Sequence, residues 1–233
     1  MRIGLIADVH ANLQALRAVL EALSGVDAIL CAGDLTGYFT CPNEVIDELS
    51  GRGIEFIAGN HDVYLRRPPA SANATLRRSL EFTRATITKK NADALAAAPC
   101  QKHLTLDGLR ISLFHGSPWD AQEQYIYPDF KDWQRFAEVD ADVIVLGHTH
   151  RPFLREVAGR LVINPGSCGQ PRDGDPRASF AVLDTRTRQV QFARAAYDVD
   201  AAVDEAQRLG LGRPLHKSTS LRIPTSSANG VGN

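Results

Sequence analysis

The amino-acid sequence predicts an α/β fold in which two mixed β-sheets pack together and helices cover their outer faces. The first half of the chain alternates short apolar runs with amphipathic segments, which is typical of an α/β unit. The second half is richer in strand and hairpin signals. The chain has 233 residues, of which 44% are hydrophobic and 23% charged, and this suits one globular domain.

The first half predicts three strands separated by two helices. Apolar runs predict strands at residues 3–7, 27–32 and 54–58. Leucines at helical spacing predict a helix at 12–23, and a shorter helix at 44–49 is expected to end at Gly51. A strand–helix–strand–helix–strand order implies parallel pairing with helices on the faces of the sheet.

The second half predicts three hairpins, one buried strand and a last helix. Strands at 103–106 and 109–114 flank Asp107-Gly108, which is a strong hairpin signal. A continuous apolar strand is predicted at 142–146. The two other hairpins pair 153–157 with 161–164 and 180–183 with 190–193, and the helix covers 199–209.

Two segments stand apart from this pattern. Residues 63–99 lack strand character and predict two helices, around 74–85 and 89–97. We interpret this segment as a helical insertion that overhangs the functional site, within a single domain spanning residues 1–215. The tail at 217–233 is rich in Ser, Thr, Gly and Asn, and this composition predicts poor order.

Charge and cysteine usage narrow the class of protein. The formal net charge is -1, with 26 basic and 27 acidic residues, which argues against stable nucleic-acid complexes and anionic membranes. Neither a signal peptide nor an apolar run of about 18 residues is recognisable, so no membrane span is expected. Four cysteines without a CxxC pair indicate reduced thiols and a cytoplasmic location.

Five short polar motifs each follow directly after a predicted apolar strand. Open α/β sheets place ligand sites outside the carboxyl ends of their strands, so these motifs are expected to converge on one rim. The motifs are Asp8-Val9-His10, Gly33-Asp34, Gly59-Asn60-His61-Asp62, His115-Gly116 and Gly147-His148-Thr149-His150.

The residue types in these motifs suggest metal ions. Carboxylates, an amide oxygen and neutral imidazoles suit manganese, iron or zinc. Seven such ligands are too many for one tetrahedral zinc ion. They suit two ions that share a carboxylate, as in enzymes of phosphoryl transfer. Taken singly, Asp34 could be a turn residue and Asn60 a loop residue. His103 and His216 lie outside the motifs and are interpreted as surface or capping groups.

Together the motifs resemble the signature of the calcineurin-like metallophosphoesterase superfamily, and more narrowly its small prokaryotic phosphodiesterases. The phrases Asn43-Glu44-Val45-Ile46, His115-Gly116-Ser117-Pro118 and Asn164-Pro165-Gly166-Ser167 are also similar to that group. The resemblance covers about residues 1–200. It implies a four-layer αββα sandwich and a hydrolase of phosphodiester, and potentially phosphomonoester, bonds.

The resemblance also implies a role for each motif residue. The first metal would take Asp8, His10, Asp34 and His150, and the second would take Asp34, Asn60, His115 and His148. Asp34 would bridge the two ions, and a metal-bridging hydroxide would be the nucleophile. His61 would then be the general acid that protonates the leaving group, with Asp62 orienting it.

Other polar and aromatic residues have weaker signals. Arg151 is a candidate for the rim of the site. For the remaining arginines we favour a solvated face or a polar turn, and for the aromatic residues after His115 we favour packing over stacking on a substrate. These residues are Arg66, Arg67, Arg77, Arg78 and Arg172 in the first group, and Trp119, Tyr125 and Tyr127 in the second.

Two other functions remain open at this point. The same fold could serve as a non-catalytic metal-binding or protein-interaction scaffold, although the presence of His61 favours an enzyme. An amide metallohydrolase is disfavoured because the chain has no His-x-His-x-Asp-His run. The expected partner is a small phosphorylated substrate, such as a cyclic nucleotide, a dinucleoside polyphosphate, a phosphoprotein or a monoester. Homo-oligomerisation is left open.

Overall fold

The computed structural model describes residues 1–212 and residue 214 of the chain. Its ten strands are β1 (Arg2–Ile6), β2 (Ala28–Cys31), β3 (Glu55–Phe56), β4 (Gln101–Leu106), β5 (Leu109–Phe114), β6 (Val143–Val145), β7 (Phe153–Val157), β8 (Arg160–Asn164), β9 (Ala178–Asp184) and β10 (Val190–Ala195). The α-helices are α1 (Leu13–Ala22), α2 (Pro42–Gly51), α3 (Asn60–Tyr64), α4 (Ala74–Thr86), α5 (Lys89–Ala97) and α6 (Val199–Arg208). A 3-10 helix covers Trp133–Glu138.

The strands form two mixed sheets of five strands each. The first has the order β10-β9-β1-β2-β3 and the second β4-β5-β6-β8-β7. β1, β2 and β3 are parallel, as their alternation with helices predicts. β5, β6 and β8 are parallel in the second sheet. The three predicted hairpins are antiparallel pairs, and β9 also pairs antiparallel with β1. Parallel pairing brings the carboxyl ends of each set of strands to one edge.

Three apolar layers hold the sheets and helices together. Side chains of β1 and β2 meet those of β5, β6 and β8 in a core between the sheets. A second cluster lies between the first sheet and helices α1, α2 and α5. A third covers the outer face of the second sheet with the 3-10 helix and its aromatic residues. The predicted arrangement of two sheets flanked by helices is confirmed.

Helix α2 ends at Gly51, as the sequence predicts, but the glycine in the left-handed conformation is Gly53. Helix α2 includes Gly51, and Arg52 caps it. Gly53 has a φ of +65°, and the amide of Ile54 donates to the carbonyl of Leu49 at 3.0 Å. The turn that ends the helix needs the left-handed conformation at residue 53, which glycine adopts without a steric penalty.

Strand β3 is shorter than the sequence predicts. It pairs with β2 only at Glu55 and Phe56, although we expected a strand over 54–58. The amide of Ala58 instead donates to the carbonyl of Pro99 at 2.8 Å, so the chain turns away from the sheet. The short helix α3 follows at once and was not predicted, because five residues are too few to show a helical period.

The predicted helical pair of the insertion corresponds to α4 and α5. The Lys90 ammonium of α5 contacts Asp47 of α2 at 2.8 Å. The backbone amide of Tyr38 donates to the Ser79 hydroxyl of α4 at 2.7 Å. The insertion therefore fixes the loop after β2, which also carries Asp34. The predicted tail at 217–233 lies outside the described residues, and within the described part no helix is long and apolar enough to cross a membrane.

Candidate metal centre

The loops after β1 and β2 run side by side and place Asp8, His10 and Asp34 together. The amide of Asp8 donates to the carbonyl of Gly33 at 3.0 Å, and the amide of His10 donates to the carbonyl of Asp34 at 2.9 Å. These bonds continue the parallel pairing beyond the strands. All three side chains are at most 1% exposed.

Left-handed backbone conformations concentrate at this edge. Ten non-glycine residues among the described ones have a positive φ, and five of them belong to the predicted metal-ligand set. Asp and His adopt this region more readily than most residues, yet each instance still costs on the order of 1–3 kcal/mol. Strain of this kind is retained where the surrounding structure needs the side chain in a fixed place. The five are Asp8, His10, Asp34, His148 and His150.

Backbone carbonyls fix the ring orientation of three histidines. The Nδ1 atoms of His10, His115 and His150 lie 3.0, 2.8 and 2.6 Å from the carbonyl oxygens of Thr36, Ala32 and Gln170. A carbonyl oxygen only accepts, so each Nδ1 carries a hydrogen. In the neutral ring the Nε2 atom is then left with a free lone pair, which is the arrangement that metal-binding histidines share.

The Nε2 lone pairs of His10 and His150 face each other, and among the described residues no hydrogen-bond donor lies between them. The Nε2 atoms of His10 and His150 are 3.1 Å apart. Burial holds the pKa of both imidazoles well below the ordinary value, so neither ring supplies a proton between them. Two facing lone pairs repel each other unless a cation lies between them. The donor set therefore fits a metal ion.

Two carboxylates complete this cluster. Asp8 and Asp34 offer oxygens that lie with the Nε2 atoms of His10 and His150 within 4.8 Å of one another. The Asp8 Oδ1 atom accepts from the amide of His148 at 2.9 Å, whereas its buried Oδ2 atom has no hydrogen-bond partner among the described residues. A buried carboxylate oxygen without a donor is costly, and a bound cation would satisfy it.

Asp34 lies between two histidines. Its Oδ2 atom is 3.5 Å from His10 Nε2 and 3.4 Å from His115 Nε2, and its Oδ1 atom accepts from the amide of His61 at 2.8 Å. Burial alone would raise the pKa of Asp34, but His115 and the other imidazoles hold it well below the ordinary value. Asp34 is thus anionic and central to both halves of the site.

Asn60, His115 and His148 lie on the other side of Asp34. The Asn60 Oδ1 atom is 3.0 Å from His115 Nε2, and the His115 and His148 ring centroids are 5.0 Å apart. Burial disfavours the charged form of His115, yet the Asp34 carboxylate raises its pKa to about 9. The site thus favours added positive charge. His148 Nε2 lies 3.2 Å from the Glu123 carbonyl oxygen, which leaves Nδ1 as the ring's free acceptor.

His61 borders the centre but makes none of these acceptor contacts. Its ring centroid is 4.9 Å from that of His10 and 4.7 Å from that of Tyr38. The buried Nδ1 atom has no hydrogen-bond partner among the described residues, and burial lowers the ring's pKa. The ring is therefore neutral and held by packing.

The expected contact between Asp62 and the His61 ring is not present among the described residues. The Asp62 carboxylate accepts from the amides of Leu35, Thr36 and Gly59, at 3.1, 2.9 and 3.0 Å, and from the Thr36 hydroxyl at 2.8 Å. These donors belong to the loop after Asp34 and to Gly59, the residue before Asn60. Asp62 therefore fixes these segments rather than the orientation of His61.

Comparison with known proteins identifies the family. The family model of the calcineurin-like phosphoesterase superfamily domain matches residues 1–188. The chain belongs to the calcineurin-like phosphoesterase superfamily. This membership makes it a metal-dependent phosphoesterase, and it favours the enzyme over the scaffold alternative.

Individual relatives agree with this membership of the calcineurin-like phosphoesterase superfamily. An uncharacterized protein of Methanocaldococcus jannaschii is 30% identical over an alignment of 241 residues, gaps included, that covers 91% of this chain and 98% of the relative. A phosphodiesterase of the same organism is 26% identical and covers 81% of this chain and 96% of its own. A crystal structure of a metallophosphoesterase from Sphaerobacter thermophilus matches with a TM-score of 0.75 and 31% identity, over 90% of this chain and 94% of that one.

A loop after β8 supports the centre of this phosphoesterase, and sequence reasoning noted it only as a similar phrase. The Ser167 hydroxyl and the Gly169 amide donate to the Asp8 carbonyl, at 2.7 and 2.9 Å. The Asn164 amide group donates to the Gly147 carbonyl at 2.6 Å. The loop therefore fixes both the Asp8 turn and the turn that carries His148.

Replacing Gly169 by alanine is expected to destabilise the phosphoesterase by about 1–3 kcal/mol or more. A Cβ atom at residue 169 would lie 1.9 Å from the carbonyl oxygen of Val9, so the backbone of the Asp8 turn would have to move. Urea unfolding followed by circular dichroism would measure the loss.

Gly51→Ala is the matched control, because a Cβ atom there meets nothing within 4 Å and the residue lies in α2. We expect it to be neutral or stabilising by up to about 1 kcal/mol. Equal stabilities of the two variants would contradict the close packing of the loop.

The weaker candidates of the sequence divide into two groups. Trp119 packs on Phe136 with ring centroids 4.8 Å apart, in agreement with the packing interpretation. Tyr125 differs, because it stacks on His148 at 3.8 Å and is 47% exposed. Arg172 also differs from the predicted polar turn, because its positive charge acts on the carboxylate of Asp8 and on the nearby imidazoles.

The remaining basic residues lie away from these contacts or outside the described range. The guanidinium of Arg66 donates to the Ala96 carbonyl at 3.3 Å, and Arg77 and Arg78 are exposed on α4. His103 Nδ1 is 2.8 Å from the Ser112 hydroxyl, which agrees with a structural role. His216 lies outside the described residues.

Proposed function

We propose that this phosphoesterase hydrolyses phosphodiester bonds with two divalent ions, and that phosphomonoesters are secondary substrates. One observation carries the proposal. The Nε2 atoms of His10 and His150 are 3.1 Å apart, and their lone pairs face each other with no hydrogen-bond donor between them in the described part of the chain. The name of the M. jannaschii phosphodiesterase supports the diester assignment.

The contacts around Asp34 support a division of the ligands into two sets. One ion would be held by Asp8, His10, Asp34 and His150, whose ligand atoms lie within 4.8 Å of one another. The other would be held by Asp34, Asn60, His115 and His148, of which the Asn60 oxygen and His115 nitrogen are 3.0 Å apart. Asp34 belongs to both sets, because its Oδ2 atom is near His10 and His115 alike.

The donor chemistry sets the ion type. Imidazole nitrogens with carboxylate and amide oxygens suit manganese, iron or zinc. Such a pair of ions, when bound, would lower the pKa of water and neutralise charge on the phosphoryl oxygens. Two dipositive ions exceed the charge of Asp8 and Asp34, so the centre would attract an anionic ester.

His61 supplies the proton that the leaving group needs, after its neutral ring has taken up a proton as the anionic ester binds. The ring lies beside His10 and outside the metal-ligand contacts, so its nitrogen stays free to exchange a proton. A proton delivered to the ester oxygen prevents the departure of an unstable alkoxide. The contacts of His61 with the rings of Tyr38 and His10 hold it in position for this transfer.

A panel of esters and metals tests the proposed reaction. Protein loaded with manganese, iron or zinc is expected to cleave bis(p-nitrophenyl) phosphate faster than p-nitrophenyl phosphate, and chelation should abolish both activities. Absence of turnover with every metal would overturn the proposal. Faster cleavage of the monoester would overturn the diester assignment.

Metal removal is expected to destabilise the fold. An ion at 100 times its Kd adds about 2.7 kcal/mol to the free energy of unfolding, which corresponds to roughly 5–10 °C in Tm for a chain of this size. Differential scanning calorimetry with EDTA and with manganese would measure the shift. His150→Ala should lose most of it, and equal Tm values for the wild type in both conditions would contradict ion binding.

The cysteines support a reducing compartment. All four are free: Cys31 and Cys168 are buried, Cys41 is half-buried and Cys100 is exposed. An exposed free thiol is stable where thiols are kept reduced. We therefore place the protein in the cytoplasm as part of the proposal.

A further inference from the structure

Two exposed tyrosines lie beside His148, and we call Tyr125 and Tyr127 the tyrosine platform. They are 47% and 38% exposed. The Tyr125 ring stacks on His148 at 3.8 Å, and the Tyr127 ring is parallel to that of Tyr125 within 4°, with centroids 5.8 Å apart. One side of the platform is thus anchored on a proposed metal ligand, and much of its aromatic surface faces solvent.

One arginine lies over the tyrosine platform, and a second lies near Tyr38 beside the centre. The Arg151 guanidinium lies 6.0 Å above the Tyr127 ring. The Arg172 guanidinium donates to the side-chain oxygen of Gln170 at 2.7 Å and lies 6.0 Å from the Tyr38 ring. Within the part of the chain that the structure describes, neither arginine forms a salt bridge with a carboxylate.

Arg172 lies beside the centre. Its amide donates to the carbonyl of His150 at 3.4 Å. The Tyr38 ring, which lies 6.0 Å from its guanidinium, is 4.8 Å from the ring of His10. Arg172 therefore lies close to two of the proposed metal ligands.

This combination of groups fits one kind of ester. Exposed parallel rings stack well on another planar ring, and guanidinium groups without a carboxylate partner bind phosphate oxygens. A linear alkyl ester would contact only the guanidinium groups. A nucleoside ester would use both, because it carries a planar base a few bonds from its phosphate.

We propose that the tyrosine platform is a subsite for the planar base of a nucleoside phosphodiester, and that Arg151 and Arg172 contact its phosphate oxygens. The inference rests on the proposed phosphodiesterase function and names the substrate class of that same centre. Base stacking of this kind is expected to give about a tenfold preference over an alkyl ester.

Two diesters with the same leaving group test the subsite. Thymidine 5′-(p-nitrophenyl) phosphate and ethyl p-nitrophenyl phosphate both release p-nitrophenolate, so the ratio of their kcat/KM values cancels differences in leaving-group chemistry. The wild type is expected to prefer the thymidine ester by about tenfold. Tyr127→Leu and Tyr125→Leu should each lower that preference several-fold.

The ratio also corrects for damage to the centre, since a disturbed His148 would slow both esters alike. Phe192→Leu is the matched control, because Phe192 is an aromatic residue that is 41% exposed on β10. It is expected to keep the wild-type preference. An unchanged ratio in both tyrosine variants, or no preference in the wild type, would overturn the subsite.

A binding measurement separates this inference from the proposed function. Titration calorimetry of thymidine 5′-monophosphate and methyl phosphate into the metal-loaded protein needs no turnover. If neither diester is cleaved but thymidine monophosphate binds about tenfold more tightly in the wild type than in Tyr127→Leu, the proposed reaction fails and the subsite stands. Equal affinities in the two proteins would overturn the subsite whatever the activity.

Discussion

Asp34→Asn is expected to lower kcat for a phosphodiester by at least about 10²-fold and to remove most of the bound metal. Mutation of a residue that only hydrogen-bonds to a metal ligand lowers metal affinity or activity by about 10–100-fold. Loss of a carboxylate shared by both ions should lower them at least as much. The Asp34 Oδ2 atom is within 3.5 Å of both His10 and His115. Asparagine keeps the shape and an oxygen acceptor for the His61 amide, so the effect isolates the missing charge.

Metal analysis by plasma mass spectrometry and steady-state kinetics would measure the two effects of Asp34→Asn together. Asp47→Asn is the matched control, since Asp47 is half-exposed and pairs with Lys90 at 2.8 Å. An exposed ion pair contributes at most about 1 kcal/mol to stability, so this variant should keep full activity. Wild-type metal content and kcat in Asp34→Asn would show that the carboxylate is not a shared ligand.

His61→Ala is expected to slow the protein by about 10²–10⁴-fold on a diester with an alkoxide leaving group, while metal content stays unchanged. The same variant should lose much less activity on a p-nitrophenyl ester, because p-nitrophenolate leaves without being protonated. The His61 ring is buried beside His10, and its Nδ1 atom has no hydrogen-bond partner among the described residues. The dependence on the leaving group distinguishes proton transfer from a structural role.

Comparison of methyl and p-nitrophenyl esters of thymidine 5′-phosphate would measure that dependence. His103→Ala is a suitable control, because His103 lies on β4 and bonds to the Ser112 hydroxyl. It should retain the wild-type rates on both esters. Equal losses on both esters in His61→Ala, accompanied by loss of metal, would assign His61 to the metal shell instead.

Local sequence patterns were sufficient to predict the strands that precede the site residues and the parallel pairing of the first three. The apolar runs before Asp8, Asp34 and His115 form buried parallel strands, and a polar residue directly after such a strand must lie at its carboxyl end. Parallel pairing explains the convergence of the motifs within each sheet, and the packing of the two sheets brings His115 and His148 beside Asp8 and Asp34. The two-sheet architecture was predictable for the same reason, because hairpins and buried strands have distinct local signals.

Contacts between distant parts of the chain were not predictable in this way. The carbonyls that fix the histidine rings come from Thr36, Ala32 and Gln170, which no local pattern connects to their partners. Asp62 adjoins His61 in sequence, yet its carboxylate accepts from the loop after Asp34 and from the amide of Gly59. Tyr125 follows His115 by ten residues but stacks on His148. Each of these contacts depends on how the two sheets pack against each other.

Anomalous diffraction from crystals soaked in manganese would locate the bound ions. We expect two peaks roughly 3.5–4 Å apart, with Asp34 between them and His61 contacting neither. One peak should lie among Asp8, His10 and His150, and the other among Asn60, His115 and His148. A single peak, or none at a manganese concentration that supports turnover, would contradict a two-ion centre.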